Sequence, residues 1–316
     1  MKVLANDGIA AEGKAKLEGA GFEVLETTVA QEQLANYINE QKIAALLVRS
    51  ATQVDKALID ACPELKVIGR GGVGMDNIDV AYAQSKNIHV INTPAASSES
   101  VAELVMGHLL NGVRFLADAN RNMPLEGDSK FKLLKKSYQK GQELKGKTLG
   151  IIGFGRIGEA VAQRAIGMGM KVVFHDHHPD KRTFTLDFFD GQQLEFSLEG
   201  ISMDALLAQS DFISIHVPST NGYVISDKEI EKMKSGAGII NAARGGVLDE
   251  VALVDALNSG KLSFAGLDVF ESEPTPEIKI LMHPQISLSP HVGGSTVEAQ
   301  TRIGEELATQ VIDLLN

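Results

Sequence analysis

Three segments each set a residue suited to proton or carboxylate chemistry just beyond an apolar run. Asn241-Ala242-Ala243-Arg244-Gly245-Gly246 presents an arginine, Leu267-Asp268-Val269-Phe270-Glu271-Ser272-Glu273-Pro274 presents carboxylates, and Ser289-Pro290-His291-Val292-Gly293-Gly294 presents a histidine. Hydride transfer from a secondary alcohol needs such a set: a base for the hydroxyl proton, a group that holds the base in its active state, and a cation that orients a substrate carboxylate. The planar fork of arginine matches a carboxylate through two hydrogen bonds, which lysine does less well. Taken singly, an Arg, Glu or His is more often a surface or structural residue. Their joint placement at strand ends, where open parallel sheets bind ligands, points to one crevice.

A second motif supplies a partner for that chemistry. Gly153-Phe154-Gly155-Arg156-Ile157-Gly158 is a G-x-G-x-x-G run that follows the apolar run Leu149–Ile152 and opens a helical pattern. About twenty residues on, a second apolar run ends at Asp176. Gly153 permits a tight turn, Gly155 lets a pyrophosphate approach the backbone, and Gly158 lets the helix pack closely. The helix N-terminus offers N–H groups to phosphates. A carboxylate at Asp176 accepts from the ribose hydroxyls and repels an added phosphate, so the expected cofactor is NAD rather than NADP. His175-Asp176-His177-His178 also suggests a metal site, but successive strand residues face opposite ways, so no metal is expected.

The elements that must position these residues form two β/α series. Apolar runs at Val3–Ala5, Phe22–Leu25, Ala44–Val48, Val67–Gly69 and Ile88–Ile91 alternate with helical patterns, as in a parallel sheet. Ser98 and Glu99 start a long helix expected from about Val101 to Asn120, a natural crossover. Asn122–Gly146 reads as a connecting segment with a short helix at Leu133–Tyr138. The second series has strands at Thr148–Ile152, Lys171–Phe174, Phe212–Val217, Gly238–Asn241, Phe264–Asp268 and Ile286–Leu288, and a last helix at Val297–Leu315 capped by Ser295 or Thr296. Between the second and third strands, Phe184, Leu186 and Phe188, then Leu194, Phe196 and Leu198, alternate about Asp190-Gly191, the signature of an inserted antiparallel hairpin with a type I′ turn. The expected fold is therefore α/β, with two doubly wound parallel-sheet domains. The final helix could return to pack on the first series, which periodicity alone leaves open; the expected division is 1–97 with 291–316 as a discontinuous substrate-binding domain, and 98–290 as a Rossmann NAD-binding domain.

Composition excludes other classes. The 316 residues suit two domains, and 44% hydrophobic with 22% charged residues is the make-up of a folded chain. A formal charge of −11 repels phosphate backbones and anionic headgroups, so neither nucleic acid nor a membrane is an expected partner. A small anionic substrate remains compatible, because local arginines can make a positive pocket. The single cysteine, Cys62, allows no internal disulfide and reads as a small buried hydrophobe. With no signal-peptide pattern and no apolar run of membrane length, a cytoplasmic location is expected. His108 and His216 sit in packing positions and are expected to be structural.

The chain resembles the D-2-hydroxyacid dehydrogenases over essentially its whole length, and among them most resembles the D-3-phosphoglycerate dehydrogenases. The resemblance rests on Ile68-Gly69-Arg70-Gly71-Gly72-Val73-Gly74-Met75-Asp76-Asn77, the Asn-x-Ala-Arg-Gly-Gly run, Leu-Asp-Val-Phe-Glu-x-Glu-Pro and Pro-His-x-Gly, in the family's order and spacing. It implies a catalytic trio of Arg244, Glu273 and His291: His291 exchanges the hydroxyl proton, Glu273 supports the imidazole, and Arg244 holds the α-carboxylate. It further implies that Arg156 and Ile157 meet the pyrophosphate, that Val217 and Pro218 lie by the adenosine, that Ala243 and Asp268 border the nicotinamide, and that Ala242, Gly293 and Gly294 also bind the cofactor. The backbone at Val73 and Gly74 would receive the substrate carboxylate, with Arg49, Ser50 and Arg70 suited to a phosphate. A homodimer is expected by the same analogy.

The implied reaction is NAD-dependent oxidation of 3-phosphoglycerate to 3-phosphohydroxypyruvate, the entry to serine synthesis. Alternatives are a glyoxylate, hydroxypyruvate or D-lactate reductase, or an NAD-sensing binding protein. Two positions depart from the phosphoglycerate pattern: Gln53 stands where lysine is frequent, and Val73 where threonine is frequent. The sequence ends just after its final helical pattern, so a short form without the regulatory domain of longer relatives, and without serine feedback, is expected.

Overall fold

The computed structural model describes residues 1–178 and 181–316. The chain divides into two compact units, Met1–Ser100 with Gly294–Asn316, and Val101–Gly293. The first unit contains β1 (Lys2–Ala5), α1 (Ala11–Gly19), β2 (Glu23–Leu25), α2 (Gln31–Gln41), β3 (Ile43–Val48), α3 (Lys56–Ala61), β4 (Val67–Arg70), α4 (Val80–Ser85), β5 (His89–Asn92) and the last helix, α13 (Val297–Leu315). Its five strands are parallel in the order β2-β1-β3-β4-β5, a doubly wound arrangement. All six residues of β3 are buried, which is why that strand reads as a continuous apolar run. Helix α13 lies against α1 so closely that a Cβ on Gly13 would stand 2.5 Å from the Gly304 carbonyl. Thr296 caps α13 by accepting from Ala299 N (3.1 Å).

The second unit opens with α5 (Ser98–Arg114), whose first three residues belong to the first unit, followed by α6 (Leu116–Glu126) and α7 (Phe131–Ser137). Then come β6 (Thr148–Ile152), α8 (Arg156–Gly167), β7 (Lys171–His175), β8 (Arg182–Asp187), β9 (Gln193–Leu198), α9 (Met203–Gln209) and β10 (Phe212–Ile215). The unit closes with α10 (Asp227–Lys232), β11 (Ala237–Asn241), α11 (Glu250–Asn258), β12 (Leu262–Leu267), α12 (Ile278–Leu281) and β13 (Ile286–Leu288). Six parallel strands lie in the order β13-β12-β11-β10-β6-β7. The order reverses at β6, so its carboxyl end, where the glycine run begins, is a topological switch point. One core lies between this sheet and α5 with α8; another is built from α9, α10, α11 and the opposite sheet face.

Three expectations are corrected. The helix expected to run unbroken from Val101 to Asn120 breaks at Phe115, which takes a left-handed conformation (φ 57°). Asn111 Oδ1 accepts from Ala117 N (2.6 Å), so a side chain satisfies a donor at the start of α6 that a continuous helix would have bonded to backbone. Helix α6 then continues to Glu126 with Pro124 inside it, through a stretch expected to be connecting segment. Helix α4 keeps the expected alternation between β4 and β5, and Asp79 caps it by accepting from Tyr82 N (3.1 Å). The third strand of the second series stops at Ile215, leaving His216 and Val217 beyond it.

The hairpin forms as expected, with Phe184 paired to Phe196, but its turn differs. Phe188 N donates to Gln192 O and Gly191 N to Phe188 O, and only Gly191 (φ 85°) has a positive φ there. This is a three-residue loop ending in a left-handed glycine, not a two-residue type I′ turn. Phe184 joins the core through Phe154, at a ring separation of 5.9 Å.

Candidate active site

At the carboxyl end of β6, Gly153 adopts φ 89°, and a Cβ there would stand 2.4 Å from the His216 carbonyl. A Cβ on Gly158 would meet the Gly153 carbonyl at 2.3 Å, so the turn and the first coil of α8 are pressed together. Gly155 has nothing within 4 Å of its Cβ position, so the backbone lies open there. The N-cap of α8 is Gly155, which has no side chain to cap it, and its first residues are the exposed Arg156 and the half-buried Ile157. An open glycine, uncapped N–H groups and a dipole end fit a pyrophosphate. Val217 lies beside the turn, its Cγ1 3.0 Å from the Gly153 Cβ position, and Pro218 is exposed.

Asp176 follows β7 and accepts from Phe154 N (2.7 Å) and His178 N (3.1 Å). Burial pushes its carboxyl up, but these two N–H groups and the Arg182 charge outweigh that and hold it below the usual carboxylate range. It is thus an anion latched to the glycine turn. Among the described residues no three His, Cys, Asp or Glu side chains converge as a metal ion requires.

At the ends of β12 and β13 two of the three expected residues, Glu273 and His291, meet, while Arg244 lies beyond β11. His291 Nδ1 lies 2.8 Å from Glu273 Oε2, and Glu273 Oε1 accepts from Phe270 N (3.0 Å). An ionised carboxylate only accepts, so Nδ1 carries the ring proton and Nε2 is left as the proton-accepting atom. His291 itself is left-handed (φ 53°), its N–H donating to Asp268 O (2.7 Å).

Arg244 sits in a turn held by Asn241, whose Nδ2 donates to Arg244 O (2.9 Å) and whose Oδ1 accepts from Ala243 N (3.1 Å). Arg244 Nη1 donates to Ala243 O (2.6 Å), and Ala242 and Ala243 are buried beneath the turn. Gly245 brings that turn against the Phe270–Glu273 loop: its Cβ position is 1.9 Å from Phe270 O. Asp268 is buried, and its carboxylate faces the histidine loop, accepting from Ser289 Oγ (2.6 Å), Val292 N (2.9 Å) and Gly293 N (2.8 Å). Gly294 belongs to the first unit, where its carbonyl accepts from Gln300 (3.0 Å).

The residues expected to meet substrate lie on the carboxyl edge of the first sheet. Arg49 follows β3 and Arg70 ends β4, with Val48 and Arg70 in register. Asp7 accepts from Arg49 N (2.6 Å) and Thr52 N (3.2 Å), and Asn77 Nδ2 donates to Arg49 O (2.8 Å) and Thr52 O (2.6 Å), which fixes the turn holding the exposed Ser50. Arg70 Nη1 donates to Gly71 O (3.0 Å). The Val73–Gly74 turn is pinned through Asn92 Nδ2 to Val73 O (2.7 Å) and Gly72 N to Thr93 Oγ1 (2.8 Å). Asp7 and Asn77 carry no signal in the sequence because their task is to shape loops distant in the chain.

Burial gives the protein a pH dependence. It pushes the rings of His108 and His283 below the usual imidazole range and that of His216, whose Nε2 lies 2.8 Å from Ser214 Oγ, down to about 3. A folded-state value below the unfolded one near 6.5 means that the unfolded chain takes up the proton first, so this stability is complete above about pH 6.5 and declines as pH falls toward the folded value. Between pH 7 and pH 5 the His216 contribution alone should cost about 1–2 kcal/mol, read as a lower urea midpoint. A His216→Gln variant should show a flatter dependence over that window; an equal slope would refute the assignment.

Known proteins resemble this chain in sequence and in fold. Residues 106–293 match the family described as D-isomer specific 2-hydroxyacid dehydrogenase, NAD binding domain. The chain is 45% identical over 295 residues to a hydroxypyruvate reductase of Thermotoga maritima, covering 92% of this chain and 90% of that one. It is 39% identical over 318 residues to a D-3-phosphoglycerate dehydrogenase of Methanocaldococcus jannaschii, covering all of this chain and 57% of that one. Thus it spans about half the length of the phosphoglycerate dehydrogenases it matches. Among solved structures, a glyoxylate reductase from Paecilomyes thermophila superposes with a TM-score of 0.81 at 30% identity, over 98% of this chain and 93% of that one. The chain belongs to the D-isomer specific 2-hydroxyacid dehydrogenase family, and its second unit carries the NAD-binding domain of that family. No helix among the described residues is long and apolar enough to cross a membrane.

Proposed function

We propose that this chain interconverts D-2-hydroxy acids and 2-oxo acids with NAD, and that its substrate is 3-phosphoglycerate. The observation that carries the chemistry is the His291–Glu273 pair at 2.8 Å, which leaves Nε2 to take the hydroxyl proton in oxidation and return it in reduction. Glu273 stabilises the imidazolium formed when Nε2 is protonated. Arg244 is assigned to the substrate α-carboxylate, where its fork orients the carbon bearing the hydroxyl. A bound nicotinamide would supply the hydride acceptor or donor. The cofactor would be held by the α8 N-terminus, Gly153, Gly155 and Gly158 at the pyrophosphate, Asp176 at the ribose, and Val217 and Pro218 at the adenosine. In this reading Ala242, Ala243 and Gly293 lie on the nicotinamide side.

Arg49 and Arg70, at the ends of neighbouring strands, support a phosphorylated substrate, and Val73 and Gly74 offer backbone to its carboxylate. Several relatives of 37–40% identity are named D-3-phosphoglycerate dehydrogenase. A second reading, reduction of hydroxypyruvate, is favoured by the Thermotoga relative and by the uncharged Gln53. Initial rates of NAD reduction with 3-phosphoglycerate, D-glycerate and D-lactate decide between them. Acids without the phosphate forgo its charge-assisted hydrogen bonds and should be poorer substrates by about 10- to 100-fold in kcat/KM. Equal rates would sink the phosphoglycerate assignment.

Cofactor choice offers an independent check. Asp176→Asn keeps an acceptor for Phe154 N but removes the charge that would oppose a 2′-phosphate. The preference for NAD over NADP should fall by about 100-fold in kcat/KM, the scale of a like-charge penalty of a few kcal/mol. An unchanged preference would show that Asp176 serves only the glycine turn.

A further inference from the structure

Helix α5 carries a histidine, His108, that is only 4% exposed and is hydrogen-bonded at both ring nitrogens. Gly266 of β12 makes room for it, since a Cβ at that position would stand 2.6 Å from His108 Cβ. Nδ1 lies 2.8 Å from Ser287 Oγ and Nε2 2.9 Å from Ser289 Oγ. Ser289 Oγ donates to Asp268 Oδ1 (2.6 Å), and that carboxylate accepts from Val292 N and Gly293 N, the two residues after His291. At the other end Asn111 Nδ2 donates to Ser287 Oγ (2.9 Å), with the amide oriented by Ala117 N on its Oδ1.

The direction of every bond follows from the carboxylate. Asp268 only accepts, so the single proton of Ser289 is committed to it, and Ser289 Oγ must accept from Nε2–H of His108. The neutral ring then presents Nδ1 as acceptor to the Ser287 hydroxyl, whose oxygen accepts from Asn111. Burial pushes the ring below the usual imidazole range against the upward pull of Asp268, which favours the neutral form this order requires. The network joins residues 179 and 181 positions apart and ends on the loop that carries His291.

We propose that His108 is a positioning residue that fixes the His291 loop through Ser289 and Asp268, an inference that rests on reading His291 as the base. A ring filling space would serve the core equally well as an apolar side chain. A ring that orients Ser289 would not be replaceable in this way, because Asp268 would then face a hydroxyl free to rotate, and the Val292 and Gly293 N–H groups a carboxylate less well held.

The test compares the parent chain with His108→Leu and with His108→Leu combined with Ser287→Val. The single variant strands the Ser287 hydroxyl and tests folding as well as positioning. The double variant removes both partners of that bond but leaves the half-buried Asn111 amide to bond water, so its thermal midpoint should lie near that of the single variant, and positioning is read from exchange and kcat. In the double variant the amide exchange of Val292 and Gly293 should quicken about tenfold while β6 and α8 keep parental protection, and kcat should fall by about 10- to 100-fold with KM for NADH nearly unchanged. Parental exchange at Val292 and Gly293, or parental kcat, overturns the inference. A His291→Asn variant measured alongside separates the two readings: full turnover there refutes His291 as the base whatever His108 does. An inactive His291→Asn beside a fully active double variant refutes positioning by His108 and leaves the base in place.

Discussion

A His291→Asn protein is expected to fold, to bind NADH as the parent does, and to turn over 2-hydroxy acids about 1,000-fold more slowly, within the 10²–10⁴ range of a lost general base. Asparagine is the replacement of choice because His291 is left-handed (φ 53°), a conformation that asparagine adopts more readily than other residues with a Cβ. An alanine or a β-branched residue would mix backbone strain into the result. The neighbouring geometry survives the change: Asp268 still receives Ser289, Val292 and Gly293, and Glu273 still receives Phe270 N. What disappears is the atom opposite Nδ1 on the imidazole ring. Binding of NADH by fluorescence and steady-state rates with the same preparation make the comparison. Turnover within about tenfold of the parent would remove His291 from the mechanism.

The second large effect is expected from Gly245→Ala, one methyl group added beside Arg244. Its Cβ would stand 1.9 Å from Phe270 O and 2.5 Å from Phe270 C, both backbone atoms that no rotamer change can move. Either the Arg244 turn or the loop leading to Glu273 must shift. Overpacking of this kind costs about 1–3 kcal/mol, and displacement by about 1 Å of the groups proposed to carry the reaction costs up to about 100-fold in turnover. Gly246→Ala is the control: nothing lies within 4 Å of its Cβ position, so only the strain of its φ of 76° is felt. It should lose about 1 kcal/mol of stability and keep most of its activity. If the two variants have equal turnover, the close packing of the Arg244 turn on the Phe270 loop does not matter to the reaction.

Much of this architecture could be read from the chain because the signals were local. β3 is buried along its whole length and carries no polar residue, and Asp176 falls one residue beyond the strand that positions it. The meeting of Glu273 with His291 was legible because both lie in motifs that follow apolar strands. The break at Phe115 was not, since phenylalanine has no preference for the left-handed region and the decisive bond comes from Asn111, a side chain six residues before the amide it receives. In the hairpin the alternation of Phe184, Leu186, Phe196 and Leu198 declared the strands, while Asp190-Gly191 fits more than one turn and the backbone chose the three-residue form. His108 looked like packing because its partners, Ser287 and Ser289, lie on a strand and loop far along the sequence. A periodicity shows that a residue is buried, not which polar atoms wait for it there.

The discontinuous make-up of the first unit sets an order on its biogenesis. Residues 101–293 are contiguous and hold both faces of their own sheet, so they can complete a core as they emerge. The first hundred residues cannot, because Leu47, Val67 and Phe22 share a cluster with Ala308 and Val311 of α13. During synthesis that apolar face stays uncovered until nearly two hundred further residues have been translated. The nascent chain must therefore carry a half-finished sheet while it completes a second one, and that interval is when a chaperone would find its binding site.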